Sequence, residues 1–214
     1  MKKIKLFMVV CLLGIAATAS AQFANANSSS NNSDATAWTG LRVSYLPLSI
    51  KADGGGSIDL TGFQLGYVKA FAISANAPIF VETGLNVSYM NGEIAEFEYD
   101  YDEYGLKFNM FSLNVPVNLG YKYAFSETAS IFPYAGLTLR GNLFGNYKMD
   151  GESVSIFDDE FEDGKAKRFQ IGWQIGIAAS FNQFVVGASY GTDFNDIIEG
   201  GKFATPAITI GYNF

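Results

Sequence analysis

The sequence predicts an all-β fold, an eight-stranded antiparallel up-and-down transmembrane β-barrel, and three observations carry that prediction. Apolar residues recur at every second position in eight separate runs between Trp38 and Phe214, which is the period of strands. The side chains alternating with them are largely Gly, Ser, Asn and Gln, which fit the crowded interior of a narrow barrel and would be poor cover for a water-facing exterior. Charged residues are nearly absent from the runs and crowd into the segments between them, whereas a soluble barrel places Lys and Glu on its outer face. Alternation alone does not exclude the inverse, a soluble sandwich or lipocalin-like barrel with its apolar face inward. Side-chain size decides for lipid outside.

The first twenty-one residues are expected to be a secretory signal peptide, with Lys2, Lys3 and Lys5 ahead of an apolar run from Leu6 to Ile15 and a small-residue cleavage site at Ala19, Ser20 and Ala21. The run is shorter than the roughly 20 residues of a membrane-spanning helix. Its removal takes away the single cysteine, Cys11, and changes the formal charge from -7 to -10 with the loss of three lysines. A chain so acidic and without basic patches is expected not to bind nucleic acid. Residues 22–37, rich in Asn and Ser, read as a flexible lead-in, and residues 38–214 as the barrel.

The first run, about residues 39–50, sets Leu41, Val43 and Tyr45 against Gly40, Arg42 and Ser44. The second, 59–72, opposes Phe63, Leu65, Tyr67 and Phe71 to Gly62, Gln64, Gly66 and Ala70. The third, 79–90, opposes Val81, Leu85, Val87 and Tyr89 to Glu82, Gly84, Asn86 and Ser88. The fourth, 107–123, is the longest, with Phe111 through Tyr123 at odd positions against Ser112, Asn114, Pro116, Asn118, Gly120 and Lys122. The fifth, 131–144, sets Ala135, Leu137 and Leu139 against Gly136, Thr138, Arg140 and Asn142. The sixth, 168–180, sets Phe169, Ile171, Trp173, Ile175 and Ile177 against Gln170, Gly172, Gln174 and Gly176. The seventh carries Phe184, Val186, Ala188 and Tyr190 on one face, and the eighth, from about residue 205, carries Ile208, Ile210, Tyr212 and Phe214. Pro116 removes a ladder donor from a barrel with no free edge, so a bulge or local break is expected there.

Connections alternate in length as an outer-membrane barrel requires. Turns after the second, fourth and sixth runs are short, and residues 91–105 and 145–167 form long acidic segments expected as loops outside the cell. Tyr and Phe gather near both ends of the runs, where aromatic girdles sit, and Lys69 lies near a strand end, where it can snorkel.

The terminal Tyr212-Asn213-Phe214 resembles the C-terminal signature of bacterial outer-membrane barrels. Together with Leu113-Asn114-Val115-Pro116-Val117-Asn118-Leu119 and Tyr134-Ala135-Gly136, it also resembles the PorT-like family of small outer-membrane barrels across the whole mature chain. The resemblance implies residence in the outer membrane of a Gram-negative-type cell. One member of that family is associated with protein secretion, but architecture defines the family and that role does not transfer.

The chain has no histidine, the general base on which barrel hydrolases rely. Ser112 and Lys122 stand ten residues apart, about 33 Å along a strand, so catalysis is not expected, and neither is a cofactor. The two acidic segments hold thirteen of the twenty-one carboxylates. Residues 100–105 imitate the opening of a calcium loop, but position twelve is Phe111 rather than Glu, so solvated loops are favoured over a specific metal site. Tyr99, Asp100, Tyr101, Asp102 and Tyr104 form the expected contact patch for other envelope proteins, since Tyr is an interface residue. In the lumen, parity places Arg42, Glu82, Lys122 and Arg140, with Arg168 at the outer rim. Glu82 is expected to pair with Arg42 or Lys122, because an unpaired buried carboxylate costs several kcal/mol. Eight strands give a barrel that side chains can plug. Three roles stay open: a non-enzymatic barrel with a structural or loop-mediated role, a narrow channel or transport barrel, and an accessory component of a secretion assembly. Outer-membrane lipid is the expected surrounding.

Overall fold

The structure, a computed structural model, describes residues 36–52, 57–74, 76–99, 102–149, 152–157, 166–198 and 200–214. The expected signal peptide and most of the lead-in lie outside the described residues. The strands in chain order are β1 Trp38–Ala52, β2 Ser57–Ala72, β3 Ile79–Tyr99, β4 Asp102–Tyr121, β5 Tyr123–Ala124, β6 Ala129–Met149, β7 Glu152–Ser155, β8 Phe169–Phe181, β9 Phe184–Asp193 and β10 Gly201–Asn213. Sequential neighbours pair antiparallel around one sheet, and β1 meets β10 with Leu41 opposite Tyr212. The β5 strand continues β4 past Lys122 and pairs with the foot of β6, while β7 pairs the top of β6 outside the ring. Eight staves therefore close on themselves. Closure leaves the sheet without a free edge, the condition for crossing lipid.

The exterior decides the question that alternation leaves open. Leu41, Leu65, Leu119, Ile175 and Ile208 are each about half exposed, on faces continuous with more than twenty other large apolar side chains. An apolar surface that encircles the molecule is far beyond the few hundred Å² a soluble monomer shows. On β4 the band runs from Phe111 to Tyr121 through Leu113, Val115, Val117 and Leu119. Ten residues cover roughly 33 Å of strand, and a tilt of about 40° turns this into about 25 Å of height, the apolar band of an outer-membrane barrel.

The interior has three tiers, and here the structure corrects the expectation of a polar lumen throughout. At the foot, Ala70, Phe80, Phe132, Ala178 and Val185 pack with Trp38 and Tyr134. Trp38 lies edge-on to Phe80 at 4.6 Å between ring centroids. The middle tier is polar and cross-linked between staves. Ser44 and Thr209 hydroxyls meet at 2.7 Å, Asn114 donates to Ser88, and Ser112 donates to Asn142, which donates in turn to Gln170. The top tier is apolar again. There Leu46, Leu48, Met90, Phe108, Met110 and Phe203 from the staves meet Ile156, Phe157, Ala166 and Ile197 descending from the connections. Those lumen positions face packed loop residues instead of water, so apolar side chains suit them.

Two further differences concern the long connections. Residues 91–105, expected as a loop, are mostly ladder, with β3 and β4 paired as far as Tyr99 opposite Asp102 and a register shift between Glu93 and Glu96. Likewise β6 runs on to Met149, and the 145–167 segment contributes β7. Pro116 keeps its register on β6, opposite Thr138. Its carbonyl accepts from Thr83 Oγ1 at 2.8 Å, so its nitrogen faces β3, and there the ladder lapses between Thr83 and Asn86 without a shift. The bulge of this wall sits instead between Phe111 and Ser112 on the β6 side.

Candidate functional site

The four ionic lumen positions fold into two groups. In the lower group, Arg42 on β1 and Glu82 on β3 stand 3.7 Å apart, Nη2 to Oε2. Trp38 Nε1 donates to the same Glu82 oxygen at 3.1 Å, and Arg42 also donates to Asn213 Oδ1 at 2.8 Å and to the Leu41 carbonyl. Lys122, in the break between β4 and β5, holds its ammonium 5.5 Å from the Trp38 ring centroid. Glycines make room for this arrangement. A Cβ on Gly40 would lie 2.6 Å from Arg42 Nη1, and one on Gly211 2.6 Å from Arg42 Cδ.

Arg140 on β6 belongs to the second group, higher in the barrel. Its three nitrogens are divided among Asp193 Oδ2 at 3.0 Å, Asn114 Oδ1 at 3.1 Å and Thr205 Oγ1 at 3.2 Å. Its guanidinium carbon lies 4.7 Å from the Phe203 ring centroid. Asp193, the last residue of β9, is not among the lumen residues named from sequence. The alternation of β9 gives the signal that finds it, because extending the lumen parity of Val185, Gly187, Ser189 and Gly191 by one step reaches Asp193.

Between the two groups lies a cavity of about 110 Å³, lined by Arg42, Glu82, Asn86, Arg140, Gln174 and Asp193 among others. Asn86 Oδ1 is a buried acceptor there without a hydrogen-bond partner. The apolar tiers stand above and below it. Its arginines are engaged by carboxylates and amides, a bonding pattern that braces staves. Arg168 lies at the rim as expected, with Nη1 donating to the Leu143 carbonyl at 3.0 Å and its guanidinium over the Phe157 ring.

Of the expected contact patch, Asp100 and Tyr101 lie outside the described residues. The backbone alone describes the others: Tyr99 stands opposite Asp102, and Tyr104 opposite Phe97, at the end of the β3–β4 hairpin. Most of the acidic side chains weighed as metal ligands also lie outside the described residues. Ser112 is buried and bonded to Asn142, whereas Lys122 lies at the barrel foot beside Trp38.

Residues 21–199 match the family described as Outer membrane protein beta-barrel domain, and the chain belongs to it. The barrel's closing strand β10 lies beyond the matched residues. Among solved structures, the chain is similar to Ail, the attachment invasion locus protein of Yersinia pestis, at 19% identity and TM-score 0.42, covering 83% of this chain and 99% of that one. It is similar to Neisserial surface protein A at 12% identity and TM-score 0.47, covering 84% and 97%, and to the outer membrane enzyme PagL at 12% and 0.44, covering 80% and 98%. No curated protein sequence matches the chain. The protein is thus an integral barrel of the Gram-negative outer membrane.

Proposed function

We propose that this outer-membrane barrel is a non-enzymatic scaffold that presents the β3–β4 hairpin and the β6–β7 extension to partners outside the cell. The observation that carries the reading is the inequality of the staves. The β3, β4 and β6 strands have 21, 20 and 21 residues, against 13, 10 and 13 for β8, β9 and β10. A membrane crossing takes about 9–11 residues. The surplus on one side is built as paired strand, which supports a stiff wall over a set of solvated loops. The sequence from Tyr99 to Tyr104 alternates Tyr with acidic residues, a composition suited to contact with other envelope or cell-surface proteins.

A variant with residues 96–105 replaced by a two-residue Asn-Gly turn is expected to keep the heat-modifiable gel mobility of a folded barrel. It is expected to lose the crosslinks that a photoreactive group at the exposed position 93, present in both chains, forms in intact cells. Crosslinks equally abundant from a group placed on the lipid-facing position 117 would refute the reading. The transport alternative requires both apolar tiers of the lumen to part, and single-channel conductance in a planar bilayer tests it. Co-purification with a larger complex tests a secretion role.

A further inference from the structure

The outward face of the β3–β4–β6 wall changes character in steps as it leaves the membrane. At the top of the apolar band, Tyr89, Phe111 and Phe144 lie side by side across the ladder, with the Phe rings 6.4 Å apart. One step up, two residues further along each strand, Asn91, Asn109 and Asn146 stand in register. Tyr89 donates its hydroxyl to Asn109 Oδ1 at 2.7 Å, which leaves the Asn109 amide nitrogen to donate outward. One step further, Lys107 stands directly opposite Lys148, with Glu93 on the other side of Lys107 at 3.7 Å.

Directly opposed like charges on neighbouring strands are destabilising. Glu93 offsets one of the two cations and leaves the row positive. Each step adds about 5 Å of height at a strand tilt near 40°, so the amides and lysines stand roughly 5 and 10 Å above the aromatic row. That is the depth of lipid headgroups, with amide donors suited to sugar hydroxyls and cations suited to phosphate.

We propose that this three-step face is a binding site for a phosphorylated glycolipid of the outer leaflet. Acyl chains lie on Tyr89, Phe111 and Phe144, the sugar lies against the three asparagines, and a phosphate bridges Lys107 and Lys148. Among the described residues Glu93 is the carboxylate paired with these two lysines, through Lys107, and the phosphate supplies the remaining counter-charge. Lys51 and Lys202 are also directly opposed at the outer rim, but they stand above Ser49 and Ala204 with no amide row, and they serve as an internal control. The inference rests on the outer-membrane placement and not on the partner-binding role of the hairpin tip, so either can fail alone.

The test uses the full chain folded in detergent micelles, with bisphosphorylated lipid A, dephosphorylated lipid A and inorganic phosphate as probes and bound lipid counted by native mass spectrometry. Heat-modifiable mobility checks that each variant folds. K107Q/K148Q is expected to weaken binding of the phosphorylated lipid about 10- to 30-fold, from the contribution of two interfacial cations, and to leave the dephosphorylated lipid unchanged. N109A/N146A is expected to weaken both lipids, K107R/K148R to retain binding, and K51Q/K202Q to change neither by more than about twofold. Equal losses from the two lysine pairs would mean general surface electrostatics and would overturn the site. So would unchanged binding by K107Q/K148Q, or full competition by inorganic phosphate, which would mark a free-anion site.

Discussion

Asp193→Ala removes the carboxylate from a guanidinium that has nowhere else to place its charge. Arg140 and Asp193 side chains are 8% and 3% exposed and 3.0 Å apart. Breaking a buried pair by deleting one partner costs about 3–5 kcal/mol, because the remaining charge is left uncompensated. Arg140 keeps its bonds to Asn114 and Thr205 and its position on the Phe203 ring, so the lower end, about 3 kcal/mol, is expected, a loss of roughly 100-fold in the folding equilibrium. The double variant Arg140→Met with Asp193→Leu removes both charges and is expected to recover most of that loss, since apolar replacement of a buried pair is often neutral. The assay is reversible urea unfolding of the barrel in lipid vesicles, followed by tryptophan fluorescence and by heat-modifiable mobility. If the single variant costs less than about 1 kcal/mol, or if the double variant is no better than the single, the pair is not the uncompensated-charge lock described here. Glu93→Gln, at the exposed pair with Lys107, is the reference and is expected to change stability by less than about 0.5 kcal/mol.

Gly211→Val is expected to displace Arg42 from Glu82, because the new Cβ meets Arg42 Cδ at 2.6 Å and the Leu41 carbonyl at 2.7 Å; urea unfolding should show a loss of about 1–3 kcal/mol. Phe203→Ala empties the fully buried centre of the upper tier and is expected to cost about 3–5 kcal/mol, with hydrogen exchange quickened at Leu46 and Met110 before the lower strands respond. Asn195 continues the β8 ladder where β9 ends, accepting from Ile171 N and donating to the Phe169 carbonyl at 2.8 Å each. Asn195→Ala is therefore expected to expose the Ile171 amide to exchange while global stability falls by about 1–3 kcal/mol.

The strand layout is legible because the side-chain period of a strand is local. Leu113 and Leu119 face lipid, and Ser112 and Asn118 the lumen, through nothing more than their spacing. The same rule places Arg42, Glu82 and Arg140 inside and carries over to Asp193 once β9 is continued one step. It weakens where both faces are apolar. The stretch from Tyr45 to Leu48 reads as an unbroken apolar run, so the apolar upper tier, with Leu46 and Leu48 buried under Phe157 and Ile197, is not announced by pattern. Acidic composition likewise reads as loop in residues 91–105, although most of the described backbone there pairs as strand.

The sequence by itself determined an all-β barrel and the identity of its lipid face, because both depend on neighbours two residues apart. Tertiary structure alone decided which lumen groups meet. Arg140 reaches Asp193 across 53 residues of chain and Trp38 reaches Glu82 across 44. The alignment of Lys107 with Lys148 over a row of amides likewise exists only in the ladder between β4 and β6. Such contacts are fixed by register and closure, which every stave sets together, and no local stretch of sequence carries that information.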